Sequence, residues 1–316
     1  MIVPATDSAP TIRRCTHALE ADLHDEDELI VVTEADDPGP AAARNAGAAS
    51  AGGEVIVFVD ADVVVHPGAL SRIRSAFAND GALIAMFGSY DDSPEAPGAV
   101  SGFRNLLHHH VHQSAAGPAA TFWAGLGAIR RDAFVAAGGF DAERFSAPSI
   151  EDVELGMRLT RAGARVVLDP ELQGKHLKQW TLASMIHTDL VHRGIPWLEL
   201  VLRRGAPRDV LNLGWRHRLS AAATLGAVCA IAARRPRLAA AAALLVVALN
   251  SSLYAVVWRR RGPNEAVTSV GLHAIHHLTG IAAIPAALLV HACNRLAGRT
   301  AHHPPSSERS KPPAMP

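Results

Sequence analysis

The sequence predicts an α/β domain on a mostly parallel sheet flanked by helices, followed by C-terminal transmembrane helices. Three observations lead there. Short apolar runs alternate with helix-length segments up to about residue 90. The run VIVFV (55–59) is apolar at every position, as a strand covered on both faces must be. After Arg218, residues 219–233 and 238–258 contain no charged side chain.

The elements follow in order. IVP (2–4) reads as a strand, residues 12–23 as a helix and LIVVT (29–33) as a second strand. Residues 40–51 form the next helix and 55–59 the third strand. Pro67 suits a helix start, and LIAMFG (83–88) is the fourth strand. In a sheet of this kind ligands bind beyond the carboxyl ends of the strands. From about residue 101 to 208 the pattern is mixed: a His-rich stretch NLLHHHVHQ (105–113), then TFWAGLGAIRRDAF (121–134), GGFD (138–141), SIEDVELGMRLTRAG (149–163), a strand ARVVLD (164–169) and GKHLKQWT (174–181). The expected division is a domain over 1–208, membrane-anchoring helices over 209–298 and a disordered tail over 299–316.

The anchor reads as a hairpin, 219–258, turned by RRPR (234–237), plus a third apolar segment, 266–294. As a helix, residues 238–258 would be roughly 32 Å long, enough for a bilayer core of about 30 Å. Basic residues flank the hairpin more densely than they line its turn, which places both flanks in the cytoplasm. The N-terminus MIVPATDSAP lacks the basic start of a secretory signal, so the first domain is expected on the cytoplasmic side of the cell membrane. Lys plus Arg and Asp plus Glu both number 30, and this balance argues against a nucleic-acid partner. The three cysteines are far apart and offer neither a disulfide framework nor a zinc site.

The chemistry begins at EVIVFVDADVVVHPGAL (54–70), where an apolar strand ends in Asp60 and Asp62. Side chains two apart on an extended chain share a side, and two carboxylates so placed repel unless a cation or donor lies between them. A hard divalent ion completed by phosphate oxygens is one solution. The other is that one aspartate caps the next helix and its neighbour is solvated.

The segment GPAAARNAGAASAGGEVIVFVDADVVVHPGAL, followed in order by WAGLGAIRRDAF, GGFD and IEDVELGMRL, resembles a family 2 glycosyltransferase across roughly residues 1 to 200. The resemblance implies a GT-A fold, which is Rossmann-like, and a hexosyltransferase-type inverting enzyme. Its donor would be a nucleoside-diphosphate sugar and its cofactor Mn²⁺ or Mg²⁺, bound by Asp60 and Asp62 with His176 as a further ligand. Donor contacts are implied for Pro4, Glu34, Arg44, Asp60 and the glycine loop with Gly125 and Gly127. Asp152, paired with Glu151, would be the general base. Trp123, Gln179 and Trp180 would face the acceptor. The anchor suggests that this acceptor is membrane-associated, such as a lipid-linked glycan.

Each assignment has a plainer counterpart. Arg44 would be a surface charge, Gly125 and Gly127 ordinary turn glycines, Trp123 a core residue and His176 a surface histidine. Ser149 and Asp152 also fit a helix-start box. The His-rich stretch reads as a solvated or interfacial helix, and His273, His276 and His277 as an interfacial polar stripe. The turn after the second strand, VVTEADDPGP, departs from the DDGS-like family pattern, so Glu34 or Asp36 would have to stand in and the base stays open. Two other functions compete: a nucleotidyltransferase of related fold, which lacks its Gly-rich basic loop here, and a non-catalytic membrane scaffold. No GxGxxG follows the first strand, which disfavours a dinucleotide dehydrogenase.

Overall fold

A computed structural model describes residues 1–6, 10–205 and 214–296. The expected domain boundary at 208/209 and the tail at 299–316 lie outside these residues. The N-terminal half runs β1 (Ile2–Pro4), α1 (Ile12–Glu20), β2 (Ile30–Val32), α2 (Pro40–Ser50), β3 (Val55–Val59), β4 (Val63–Val65), α3 (Ala69–Asn79), β5 (Leu83–Tyr90) and α4 (Ala99–Gln113). Then come β6 (Gly117–Pro118), β7 (Leu126–Arg130), α5 (Arg131–Ala136), α6 (Glu151–Arg161) and β8 (Arg165–His176). After α7 (Leu182–His187), a π-helical stretch (Thr188–Gly194) and α8 (Ile195–Arg204), the chain continues through α9 (Trp215–Ala232), α10 (Pro236–Leu249), α11 (Ser251–Arg261) and α12 (Pro263–Leu296).

The strands lie in the order β2-β1-β3-β7-β5-β8-β4, with β6 on β8. The sheet is mixed rather than mostly parallel. β1 pairs parallel with β2 and β3, and β5 with β8. The pairs β3–β7, β5–β7, β4–β8 and β6–β8 are antiparallel. Sequence periodicity reports which faces are covered, not the direction of a neighbour, and β7 enters between β3 and β5 from a point 67 residues beyond Val59. Alternation along β3 explains its wholly apolar sequence. Phe58 faces a core with Ile2, Phe87, Phe122, Phe134, Phe140 and Leu155, while Val57 and Val59 face Cys15, Leu19, Ile73, Phe77 and Met86.

The C-terminal helices depart from the hairpin expectation. α10 and α11 meet at 71° around Asn250, so the expected second arm is broken. Asn250 donates from Nδ2 to Ser220 Oγ at 2.7 Å and to Val246 O at 2.8 Å, so the break is pinned to α9. By length and composition the helix able to cross a membrane is Pro263–Asn294, or two spans if the bent pair counts as one, among the described residues. Only 28% of its most apolar stretch is buried, unlike a core helix. Its histidines are not an interfacial stripe. His276 Nδ1 is 2.7 Å from Asp189 Oδ2, His277 Nε2 is 2.8 Å from Ser220 Oγ, and His273 Nδ1 is 3.0 Å from Tyr254 Oη. Helical spacing shows that the three share a face but not that the face turns inward.

One glycine fixes how closely α6 approaches the sheet. A Cβ built on Gly156 would lie 2.1 Å from the Phe122 backbone nitrogen. Gly156→Ala should therefore force α6 away from the 121–122 segment. We expect a stability loss of about 1–3 kcal/mol, read as a lowered thermal midpoint of the purified protein.

Candidate active site

The two aspartates occupy a tight turn between β3 and β4, not an extended chain. Val63 N donates to Asp60 O at 2.9 Å, closing the turn. Every backbone carbonyl in it has a further use: Thr11 Oγ1 donates to Ala61 O at 2.8 Å and Leu177 N to Asp62 O at 2.8 Å. Asp60 N donates to Gly125 O at 3.1 Å, which joins the turn to the glycine loop before β7. The short β4, which the sequence reading passed over, pairs Val63 with His176 and so brings the end of β8 beside Asp62.

Arg44 is no surface charge. It is 4% exposed and lies at the centre of the site. Its Nη2 donates to Asp60 Oδ1 at 2.6 Å and its Nη1 to Glu151 Oε1 at 2.8 Å. Burial opposes its charge, but Asp60, Glu151 and Asp152 outweigh that and raise its pKa. The DAD turn and the ED pair, 91 residues apart, thus share one cation.

Glu151 and Asp152 open α6 in different roles. Glu151 is buried against Arg44, and its Oε2 accepts from Ser149 N at 2.9 Å. Asp152 Oδ2 accepts from Ala124 N at 3.0 Å and Oδ1 from Val153 N at 2.7 Å. The Ser149 box does not form: Ile150 is the N-cap and has no side-chain cap, while Ser149 Oγ donates to His192 O at 2.8 Å. Burial first, and the charge of Glu151 second, push the Asp152 pKa up to about 6. A carboxyl held there is poised to take a proton near neutral pH.

His176 is buried rather than a surface residue. Its Nε2 is 3.4 Å from Asp62 Oδ2. Burial would raise the Asp62 pKa, but the hydrogen bond and charge of His176, with Lys178 nearby, hold it below its ordinary value. A carboxylate and an imidazole suit a manganese-type ion. Neighbouring ligands at about 2.1 Å from an octahedral cation sit about 3 Å apart, close to the observed separation. The pair therefore fits a divalent metal as two of its ligands. Asp60 is engaged by Arg44, and among the described residues no three His, Cys, Asp or Glu side chains form a complete ligand set.

The remaining expected residues are distributed as follows. Pro4 and Glu34 end or follow β1 and β2 at the same sheet end as Asp60, and Glu34 is exposed. A Cβ on Gly125 would lie 2.4 Å from the Trp123 ring and one on Gly127 2.3 Å from Trp123 O, so these glycines make room for Trp123 itself. Trp123 packs on Tyr90, His108 and His112 with centroids 4.9, 4.6 and 5.4 Å away. Trp180 is buried, with Arg104 and Lys178 over its ring at 5.3 and 4.7 Å, while Gln179 is exposed. The His-rich segment is not a solvated helix. His108 and His112 lie beneath the site, and burial lowers His112 to about 4, keeping it neutral. Sequence reasoning missed Tyr90, stacked on His176 at 4.1 Å, and Asn105, whose Oδ1 is 2.6 Å from His176 Nδ1. Adjacent histidines gave no helical face to follow, and the single asparagine before them gave no signal.

Residues 33–136 match the family model "Glycosyl transferase family 2". Over this segment the chain is similar to family 2 glycosyl transferases. The fold is that of GT-A glycosyltransferases. It is similar to the mannosyltransferase PcManGT from Pyrobaculum calidifontis, solved with GDP-Man and Mn²⁺, with a TM-score of 0.53 and 18% identity over 90% of this chain and 86% of that one. TarS 1-349 of S. aureus, solved with UDP-GlcNAc, aligns with a TM-score of 0.43 and 15% identity over 88% and 89%. No curated protein sequence matches the chain.

The site rests on Arg44, and its removal is testable. Arg44→Met leaves the buried Glu151 carboxylate without its counter-charge. The expected cost is about 3–5 kcal/mol in thermal or denaturant unfolding. Adding Glu151→Gln should recover part of that loss, because the stranded charge goes too.

Proposed function

We propose that the chain is a membrane-anchored, metal-dependent inverting glycosyltransferase of the hexosyl-transferring kind. It would move a sugar from a nucleoside diphosphate to a hydroxyl of a lipid-linked acceptor. What supports this reading most is the joining of the two acidic motifs: Arg44 bridges Asp60 and Glu151, and the Ala124–Gly125 pair bonds to both Asp152 and Asp60. A base and a diphosphate-side carboxylate held on one rigid frame are what displacement at an anomeric carbon needs.

Asp152 accepts the proton of the acceptor hydroxyl as its oxygen bonds to the anomeric carbon. The bond from that carbon to the diphosphate oxygen breaks on the opposite face, so the configuration inverts. Asp62 and His176 would hold Mn²⁺ or Mg²⁺, which supplies positive charge to the departing diphosphate. Arg44 keeps Asp60 and Glu151 in place, and Glu151 holds the start of α6. Pro4 and Glu34 lie at the strand ends where the nucleoside would rest, with Gly125 just before β7 and Gly127 at its start beside it. Trp123, Gln179 and Trp180 border the acceptor side, Trp123 and Trp180 as packed walls.

The anchor is proposed from α12 and the apolar side chains left outward on α9, α10 and α12, including Ile231, Leu244, Val267 and Leu289. An apolar surface of this kind suits a bilayer, with the catalytic domain on the cytoplasmic side. It also favours an acceptor presented from the membrane.

The test uses membranes carrying the full-length protein, a divalent metal and a panel of labelled nucleotide sugars. Asp152→Asn keeps the acceptor for Ala124 N–H but cannot take a proton, so transfer should fall by about 10²- to 10⁴-fold with donor binding retained. Transfer by this variant at the wild-type rate would remove Asp152 as the base. With the Asp152 pKa raised to about 6, and the base active only when ionised, kcat/KM should climb as pH rises through about 6.

A further inference from the structure

We infer that Asn105 is a positioning residue that holds the His176 imidazole in the tautomer able to bind a divalent cation together with Asp62. The inference rests on the reading of Asp62 and His176 as metal ligands. It gives a role to the helix that the His-rich segment forms.

The geometry is specific. Asn105 is 2% exposed, and its Oδ1 lies 2.6 Å from His176 Nδ1. Its Nδ2 is buried and has no hydrogen-bond partner. The amide oxygen is the atom that faces the ring nitrogen. An oxygen acceptor at Nδ1 keeps a proton on Nδ1, so a cation beside Asp62 has only the Nε2 proton to displace, on the nitrogen 3.4 Å from the carboxylate.

One further contact restricts the ring, and a second fixes the chain that follows it. Tyr90 stacks on it with an interplanar angle of 8° and centroids 4.1 Å apart. One turn earlier on α4, Ser101 Oγ accepts from Trp180 N at 2.9 Å, clamping the helix to the segment that follows His176. Ser101 and Asn105 are four apart and so share a helix face. The same face thus fixes both the backbone after β8 and the imidazole at its end.

The test is Mn²⁺ binding to the full-length detergent-solubilised protein, followed by the EPR signal of the free ion with no other ligand added. Asn105→Leu should weaken binding by about ten- to a hundredfold, the usual effect of losing such a partner. Asn105→Asp, which can accept but not donate, should stay within about threefold of wild type. In a His176→Ala background, Asn105→Leu should change nothing further, an outcome that a general packing defect would not give. If Asn105→Leu fails to fold, Asn105→Ala takes its place with the same expectation. Wild-type affinity in Asn105→Leu, or equal losses in the Leu and Asp variants, would overturn the inference while His176→Ala still lowers affinity. If His176→Ala binds Mn²⁺ as wild type does, the metal-ligand reading itself falls, and the role of Asn105 with it.

Discussion

The structure turns on one buried guanidinium. Arg44 reaches from α2 to the turn after β3 with one nitrogen and to the start of α6 with another. Without it, Asp60 and Glu151 would converge at the end of a sheet stripped of the cation they share. Such an arrangement stands only when the charge is paired and closely bonded, since a half-paired buried ion is worse than an apolar contact. The bidentate geometry of arginine suits it to bridging two acids, which a lysine point charge cannot reproduce.

This interaction sorts the acidic residues by what each is free to do. Glu151 is consumed by Arg44 and Ser149 N, so its role is structural. Asp60 shares the same arginine. Asp152 and Asp62 are left as the carboxylates whose environment, burial for one and an imidazole neighbour for the other, sets their protonation in opposite directions. Two carboxyls pushed apart in this way are a sign of divided chemical labour.

Much of this was legible in the sequence, and the reason is locality. The apolar strand ending in DAD, the glycines around Trp123 and the acidic start of α6 are contiguous patterns, and their order along the chain pointed to the GT-A fold. What was not legible depends on contacts across long separations. Arg44 was expected at the donor, and its bridging of the two acidic motifs gave no signal because its partner Glu151 lies 107 residues away. β4 has three residues and takes its identity from pairing with β8. His108 and His112 read as solvated, since nothing local shows that Tyr90 and Trp123 close over them. The break at Asn250 likewise follows from a bond to α9, and it turned an expected straight span into a bent pair.

The register between β4 and β8 has a wider implication. Val63 opposes His176, Val64 opposes Lys175 and Val65 opposes Gly174, so the imidazole reaches Asp62 through a three-rung ladder. Slipping a strand by one residue sends each side chain to the opposite face. The distance in chain length from Asp62 to Val65 is therefore as much part of the chemistry as the residues themselves. Lineages descended from this chain can lengthen surface loops freely, yet an insertion or deletion in those few positions would disassemble the site in one step.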